Sequence, residues 1–211
     1  MQKNITVKAV LLDMDGTLAD SLSVMRTVYD RFMTRFCVLP TEEEFESLNG
    51  PPLKKIVSIL KDKHGLSESI ESLLTLYNQF IDEAYDTVQP HEGAPELLRH
   101  AQQQGWKIGL VTSNNRPRAE HWLATVNLAS YFDLLITGED VSKGKPDPEP
   151  YLLAAERLDI LPAQIIAVED SVQGVQSAVT AGMRVFGLNV TAKGAKKIPS
   201  LKTLTEYALN T

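Results

Sequence analysis

The spacing of apolar residues divides the chain into two kinds of segment. Ala9–Leu12 is an uninterrupted apolar run, which predicts a strand buried on both faces of a parallel sheet. Beyond it, apolar residues recur three and four positions apart, as they do in a helix with one buried face. This helical spacing covers residues 25–36, 53–60 and 70–81. We therefore expect helices and no strand from about residue 20 to residue 86.

From Ala94 onward, helical and strand patterns alternate. We predict strands at residues 107–111, 134–137, 165–168 and 185–188, and helices at residues 94–104, 118–126, 149–158 and 172–181. This alternation is typical of right-handed βαβ units, which build a parallel sheet with helices on both faces. We interpret residues 190–198 as a surface loop before a short last helix.

The helical run that interrupts the strands must pack somewhere. We expect it to form a separate small bundle at residues 19–88, lying above the strand ends as a cap. The α/β core then consists of residues 1–18 and 89–211. Pro90 and Gly93 give the segment between the two parts the composition of a linker.

Composition narrows the class of protein. The chain has 211 residues and a formal charge of −6, with scattered basic residues, so nucleic acid and acidic membranes are not expected partners. Cys37 is the only cysteine; it excludes an internal disulfide and is expected to pack as a small apolar residue. No signal-peptide pattern and no apolar run near the about 20 residues of a membrane span is present, so a cytoplasmic protein is expected. The histidines lack zinc-ligand spacing and are expected at the surface: His64, His91, His100 and His121.

Two carboxylates directly follow the first predicted strand. Asp13 and Asp15 stand at its carboxyl end, where open α/β sheets bind ligands. Neighbouring carboxylates repel each other and both need solvation, so the pair is costly unless a cation or a reaction uses it. By itself, the pair also fits a polar turn that bends at Gly16.

Groups suited to a phosphate follow the later strands. Thr112 and Ser113 offer hydroxyl and backbone donors at a predicted helix start, although either could simply cap that helix. Lys145, placed before Pro146, could neutralise both a phosphoryl group and a carboxylate. An isolated lysine at such a position is more often an exposed surface residue.

A second acidic pair, Glu169 and Asp170, follows the strand predicted at residues 165–168. Two acidic pairs at strand ends, with few histidines or cysteines nearby, describe an oxygen-rich site for a hard cation. Where a phosphoryl group shares such a site, Mg²⁺ is the expected ion.

In this order, the motifs resemble those of the haloacid dehalogenase (HAD) superfamily of phosphatases. The similarity is to the subgroup whose helical cap follows the first strand, as in phosphoglycolate phosphatases and β-phosphoglucomutases. The family's D-x-D-G-T reads Asp-Met-Asp-Gly-Thr at residues 13–17, and its strand-end hydroxyl, lysine and acidic pair correspond to Thr112, Lys145 and Glu169-Asp170. The resemblance implies a Rossmann-like parallel sheet core with helices on both faces and an inserted all-helical cap of the C1 type.

The resemblance also implies a phosphoric monoester hydrolase. Asp13 would attack phosphorus and form an aspartyl phosphate, and Asp15 would act as the general acid and then the general base. The implied cofactor is Mg²⁺, held by Asp13, the backbone carbonyl of Asp15, Asp170 and Glu169. The implied phosphate-binding residues are Thr112, Ser113 and Lys145.

Related activities differ at single positions. By resemblance, haloacid dehalogenases and phosphonoacetaldehyde hydrolases lack an acid at the Asp15 position, and β-phosphoglucomutases tend to carry a histidine where this chain has Met25. A hydrolase of phosphoglycolate or a sugar phosphate is therefore favoured over a phosphosugar mutase. A catalytically silent binding or regulatory member of the fold is disfavoured, because Asp13, Asp15, Lys145 and Asp170 are all present.

Several cations have two interpretations. Lys54 and Lys55 follow the turn at residues 50–52 and could bind an anionic leaving group from the cap. By resemblance to phosphonoacetaldehyde hydrolases, a lysine in the cap could also form a Schiff base. Most helix-surface lysines, however, are only solvated. Arg116 and Arg118 could lie at the rim of the site or carry ordinary surface charge. The sequence leaves open the phosphate ester and the choice between a monomer and a homodimer.

Overall fold

The computed structural model describes residues 6–48 and 53–208. The chain divides into two compact units, one formed by Met1–Asp20 with Gln89–Thr211 and the other by Ser21–Val88. Within the described residues, no helix combines the length and the apolarity that a bilayer crossing requires.

Strands and helices follow one another in the order that the apolar patterns predict, with two additions. The elements are β1 (Ala9–Leu12), α1 (Leu22–Arg35), α2 (Glu42–Ser47), α3 (Leu53–His64), α4 (Ile70–Tyr85), α5 (Ala94–Gln103), β2 (Lys107–Val111), α6 (Arg116–Thr125), β3 (Leu134–Ile136), α7 (Glu149–Leu158), β4 (Ile165–Glu169), α8 (Val172–Thr180), β5 (Arg184–Leu188), β6 (Ala195–Ile198) and α9 (Leu201–Ala208). The additions are α2 and β6.

The strands form one sheet in the order β3-β2-β1-β4-β5-β6, and every neighbouring pair is parallel. The predicted parallel α/β sheet is therefore confirmed. The chain passes from β1 to β2 and β3 on one side and then to β4 on the other side of β1. Connections that leave in opposite directions create a crevice between the carboxyl ends of β1 and β4, where such sheets bind ligands.

The core of this unit surrounds β1. All four β1 residues are 0% exposed, and because successive strand side chains point to opposite faces, both faces of the sheet are covered there. Leu11 shares an apolar cluster with Tyr151 of α7 and Val175 of α8. The carboxyl end of β1 is thus set in a close-packed frame that fixes the positions of the polar residues that follow it.

In the helical unit, a buried carboxylate joins three helices. Glu44 of α2 is 5% exposed and accepts a hydrogen bond of 2.5 Å from the Tyr29 hydroxyl of α1. Lys63 and His64 of α3 place their nitrogens 2.7 and 2.9 Å from its Oε1. Burial alone would raise the pKa of Glu44, but the hydrogen bonds from Lys63, Tyr29 and His64 lower it to about 2. The apolar pattern does not predict α2, since Phe45 is its only apolar residue.

The interpretation of residues 190–198 as a loop is wrong at its end, because Ala195–Ile198 forms β6 and pairs with β5. Lys196 and Lys197 are exposed and break the apolar run expected of a buried strand. An edge strand needs a partner on one side only, and lysines are common there because they oppose pairing with another chain.

Two expectations about single residues are also wrong. His100 is 6% exposed and its ring meets Trp106 edge-on, with the centroids 5.9 Å apart, because it lies three residues after Leu97 on the buried face of α5. Cys37 is exposed and has a φ of +58°, since the chain turns sharply after α1.

Candidate active site

Most of the predicted site residues of the α/β unit lie at the ends of three neighbouring strands. Asp13 and Asp15 come after β1, Thr112 after β2, and Asp170 after β4. Because these parallel strands are adjacent, their carboxyl ends meet at one edge of the sheet. The sequence motifs are therefore brought together by the strand order.

Lys145 lies at the centre of this edge. Its Nζ is 2.5 Å from Asp13 Oδ1, 2.6 Å from Glu169 Oε1 and 2.8 Å from the Val111 carbonyl oxygen. Three acceptors use the three donors of the ammonium group. The side chain is only 7% exposed, so Lys145 is not an ordinary surface lysine. Burial alone would lower its pKa, but the Asp13 and Glu169 carboxylates outweigh burial and raise the pKa above its usual value.

Tyr151 of α7 supports this lysine and was not among the predicted site residues. Its hydroxyl donates to Glu169 Oε1 at 2.6 Å, and Lys145 Nζ lies 5.4 Å from the centre of its ring. The only available signal was the position of Tyr151 six residues after Lys145 in a helix, and that position equally suits an apolar core residue. Tyr151 therefore contacts both Glu169 and Lys145 and fixes their relative positions.

Three carboxylates form the acidic cluster. Asp13, Glu169 and Asp170 each place an oxygen within 4.8 Å of the others. Burial raises the pKa of Asp13 well above its usual value, opposed by Lys145 and reinforced by Glu169 and Asp170. Burial, with repulsion from Glu169, raises the pKa of Asp170 to about 6. Crowded carboxylates of this kind are stabilised by a cation, and their oxygen ligands suit a hard divalent ion.

Two glycines allow the close approach of these carboxylates. Gly16 has a φ of +76°, and a Cβ there would lie 2.1 Å from Asp170 Oδ2. A Cβ at Gly174 would lie 2.0 Å from the Glu169 carboxylate. Any larger residue would displace an acidic side chain. Thr17 adds a hydrogen bond of 3.2 Å from its hydroxyl to Asp170 Oδ1.

The Asp15 carboxylate is hydrogen-bonded to Asn114 and is not part of the acidic cluster. Its Oδ2 accepts a hydrogen bond of 2.6 Å from Asn114 Nδ2, and its side chain is not among the clustered ligand atoms found in the described residues. The predicted contribution of Asp15 to a metal site comes from its backbone carbonyl. Its carboxylate can therefore have a separate role.

Thr112 and Ser113 occupy the loop between β2 and α6. Thr112 is 4% exposed, and its hydroxyl accepts a hydrogen bond of 3.0 Å from the Asn114 N–H. Ser113 is exposed. Neither residue caps α6, because the side chain of Asn115 accepts the hydrogen bond from the Arg118 N–H at 2.9 Å. The capping interpretation of Thr112 and Ser113 is therefore wrong.

The two arginines of α6 differ. Arg118 is 8% exposed and donates from Nη1 to Asn114 Oδ1 at 2.7 Å, so it is not ordinary surface charge. Arg116 is partly exposed and bonds Asp140 at 2.7 Å and the Leu135 carbonyl oxygen at 3.3 Å. These contacts tie α6 to the segment around β3.

Lys54 and Lys55 lie in the first turn of α3 in the helical unit, and both are exposed. The turn at residues 50–52 lies outside the described residues. The substrate-binding role of the two lysines remains a prediction.

The sheet, its acidic cluster and the buried lysine agree with a comparison of the whole sequence. The family described as haloacid dehalogenase-like hydrolase matches residues 10–188, and the chain belongs to this family. The resemblance stated from the motifs, and with it the expectation of a hydrolytic enzyme, is confirmed.

Individual relatives cover most of the chain. Validoxylamine A 7'-phosphate phosphatase of Streptomyces hygroscopicus is 35% identical over 206 residues, which are 94% of this chain and 95% of the relative. A phosphorylated carbohydrates phosphatase of Thermotoga maritima is 30% identical over 184 residues, 86% of this chain and 85% of the relative. The solved structure of β-phosphoglucomutase from Clostridium difficile shares the fold, with a TM-score of 0.82 and 21% identity, and the match covers 97% of this chain and 96% of that one.

Proposed function

We propose that this protein is a magnesium-dependent phosphatase that hydrolyses a small phosphorylated metabolite, of the phosphoglycolate or sugar-phosphate type, in the cytoplasm. The observation that carries the proposal is the position of Asp13. Its carboxylate follows the central strand, 2.5 Å from the buried Lys145 ammonium and within a cluster of two further acids. A nucleophilic carboxylate can approach a phosphoryl dianion only where cations offset the repulsion between them.

The proposed reaction has two displacements. An oxygen of Asp13 forms a bond to phosphorus while the bond from phosphorus to the ester oxygen breaks, and Asp15 gives a proton to the departing oxygen. Asp15 then removes a proton from water, whose oxygen attacks the aspartyl phosphate. That second step releases inorganic phosphate and restores the Asp13 carboxylate. Each displacement avoids an unassisted attack of water on the ester.

Lys145, Thr112 and Ser113 are proposed to hold the phosphoryl oxygens. Lys145 already contacts Asp13, so its charge lies beside the oxygen that would bond to phosphorus. Thr112 and Ser113 open the loop that leaves the adjacent strand β2, and they offer hydroxyl and backbone donors. Donors held in fixed positions stabilise developing charge without having to reorganise during the reaction.

A divalent cation fits the acidic cluster. We propose that Asp13, Asp170 and the backbone carbonyl of Asp15 hold Mg²⁺, and that Glu169 adds negative charge while its oxygens accept hydrogen bonds from Tyr151 and Ser171. When bound, the ion would supply positive charge that screens the nucleophile from the phosphate. The raised pKa values of Asp13 and Asp170 support this assignment, because burial and neighbouring acids disfavour their charged forms and a bound cation would favour them.

The direct test of the proposed function is release of inorganic phosphate by the purified protein from a panel of metabolite phosphates in the presence of Mg²⁺. The relatives named above are phosphatases of phosphorylated carbohydrates and of a validoxylamine phosphate, so the panel should centre on sugar and small-acid monoesters. Conversion of a sugar 1-phosphate into its 6-phosphate without phosphate release would instead identify a mutase.

Chelation should abolish this activity, and adding Mg²⁺ should restore it.

Metal binding should also raise the melting temperature, by more at pH 8 than at pH 5. The reason is that the pKa of Asp170 is about 6: the folded protein gains stability from the protonated carboxyl at low pH and loses it as the pH rises through 6, where the ionised group becomes a ligand. Full activity in excess chelator, or a Mg²⁺-induced shift that is larger at pH 5, would contradict the metal assignment.

The exposed lysines of α3 give a prediction about the substrate. We propose that Lys54 or Lys55 binds an anionic leaving group from the helical unit. Lys54→Ala or Lys55→Ala should then lower kcat/KM by about tenfold for the best substrate with an anionic leaving group, the order of one charge-assisted contact. Hydrolysis of an aryl phosphate whose aryl group carries no charge should be nearly unaffected. Remote binding energy can act only on substrates that offer the group it recognises.

The measurement is kcat/KM on both substrates for each variant, with a melting curve to verify folding. Equal losses on the two substrates would indicate damaged folding, and no loss on either would show that the lysines are only solvated.

A further inference from the structure

Asp15, Asn114 and Arg118 form a chain of hydrogen bonds beside the acidic cluster. Asn114 Nδ2 donates to Asp15 Oδ2 at 2.6 Å, and Arg118 Nη1 donates to Asn114 Oδ1 at 2.7 Å. Both the nitrogen and the oxygen of the Asn114 amide group are therefore hydrogen-bonded. The contact between Asn114 and Asp15 joins residues that are 99 positions apart in the chain, so it exists only through the pairing of β1 with β2.

Arg118 determines which end of the amide faces Asp15. An asparagine amide has an accepting oxygen and a donating nitrogen, whereas a guanidinium group has donors only. Arg118 can therefore bind only Oδ1 of Asn114, which turns Nδ2 toward Asp15. The amide cannot flip to present its oxygen without placing two donors against each other and two acceptors against each other.

Asn114 and Arg118 are each held in place, Arg118 by burial and Asn114 by a hydrogen bond from its backbone. Arg118 is 8% exposed. The Asn114 N–H donates to the Thr112 hydroxyl at 3.0 Å. A buried guanidinium is costly unless its donors are used.

We propose that Asn114, oriented by Arg118, is a positioning residue that fixes the Asp15 carboxylate for proton transfer to the leaving oxygen. This inference rests on the proposed function, in which Asp15 is the general acid. Proton transfer requires the acid within about 2.6–3.2 Å of the oxygen it protonates. A carboxylate that rotates freely meets this condition for only part of the time, and a hydrogen bond to one of its oxygens restricts that rotation.

The dependence of the rate on the leaving group distinguishes positioning from other roles. Departure of p-nitrophenolate needs little help from an acid, whereas departure of an alkoxide requires a proton. The kinetic constant kcat/KM reports the steps up to and including loss of the first product. A misplaced Asp15 should thus harm hydrolysis of ethyl phosphate far more than hydrolysis of p-nitrophenyl phosphate.

The experiment measures kcat/KM for both esters, with Mg²⁺ present, in the wild type, Asn114→Ala, Arg118→Met and Asp15→Asn. We expect Asn114→Ala and Arg118→Met to lose at least about tenfold more on ethyl phosphate than on p-nitrophenyl phosphate, part of the 10²–10⁴-fold effect of a general acid. In these two variants, the inhibition constant of inorganic phosphate should stay within about twofold of the wild type, because neither Asn114 nor Arg118 is assigned a phosphate contact. Asn114→Ser serves the same purpose if Asn114→Ala fails to fold.

Asn115→Ala is the matched control. It removes the neighbouring asparagine, which caps α6, so it should lower the melting temperature without changing the ratio of the two kcat/KM values. Equal losses on both esters in the Asn114 and Arg118 variants, or a marked rise in the inhibition constant of phosphate, would overturn the positioning role.

Asp15→Asn separates this inference from the proposed function. If Asp15→Asn loses ethyl phosphate hydrolysis selectively and the Asn114 variants do not, the positioning role fails and the role of Asp15 stands. If Asp15→Asn itself shows no selectivity, its role as general acid fails and the positioning role fails with it.

Discussion

Asp13→Asn should lower the turnover of any phosphate ester that the wild type hydrolyses by at least about a thousandfold, on the scale of losing a covalent nucleophile. An amide oxygen does not displace an ester oxygen from phosphorus, so the first bond cannot form. The substitution keeps the shape of a side chain that is 8% exposed, and its oxygen can still accept the hydrogen bond from Lys145. The fold should therefore survive while the reaction stops.

Two measurements make this expectation decisive. Acid quenching shortly after mixing with a radiolabelled ester should recover labelled wild-type protein and no labelled Asp13→Asn protein. Asp159→Asn is the control, since it makes the same isosteric change at an exposed residue after α7 whose φ of +54° asparagine also tolerates. Wild-type turnover by Asp13→Asn would exclude the aspartyl phosphate route.

Lys145→Met should damage both catalysis and stability. Loss of a fixed charge beside the phosphoryl group should reduce kcat/KM by about 10²–10³-fold. The variant also leaves Asp13 and Glu169 without the ammonium that lies 2.5 and 2.6 Å from them. Breaking a buried ion pair by removing one partner costs about 3–5 kcal/mol, so we expect the free energy of unfolding, from urea titration at pH 7.5, to fall by an amount of that order.

Lys143→Met provides the comparison for this prediction. Lys143 lies two residues away in the same loop, but its side chain is 74% exposed, so its removal should change the free energy of unfolding by less than about 0.5 kcal/mol. The loss in Lys145→Met should shrink as the pH is lowered, because burial raises the pKa of Asp13, and once protonated this side chain no longer needs the lost cation. Similar stability of the two variants would mean that the buried contacts of Lys145 are not important for folding.

The order of the elements and the position of the site along the chain could be predicted from the sequence. Periodicity is a local property, since side chains two residues apart in a strand, or three to four residues apart in a helix, share a face. The run at Ala9–Leu12 and the later alternation therefore predicted a parallel α/β sheet, which the structure confirms. The polar residues after these strands were identified for the same reason. The local pattern did not reveal α2 and β6, where acidic or basic side chains replace most of the apolar positions.

The tertiary structure alone decided which of these residues meet. Lys145 reaches Asp13 across 132 positions of the chain. The following Pro146 and the family motif single out Lys145 in the sequence, but only the fold shows that it is buried while Lys143 is exposed. The burial of Arg118 and the contact of Tyr151 with Glu169 likewise depend on how α6 and α7 pack against the sheet. Electrostatic partners are set by distances in the folded chain, which strand order and helix packing determine. Residue types and their order thus determined the chemistry available to this protein, and packing determined that a lysine, three carboxylates and an arginine-held asparagine lie together at one edge of the sheet.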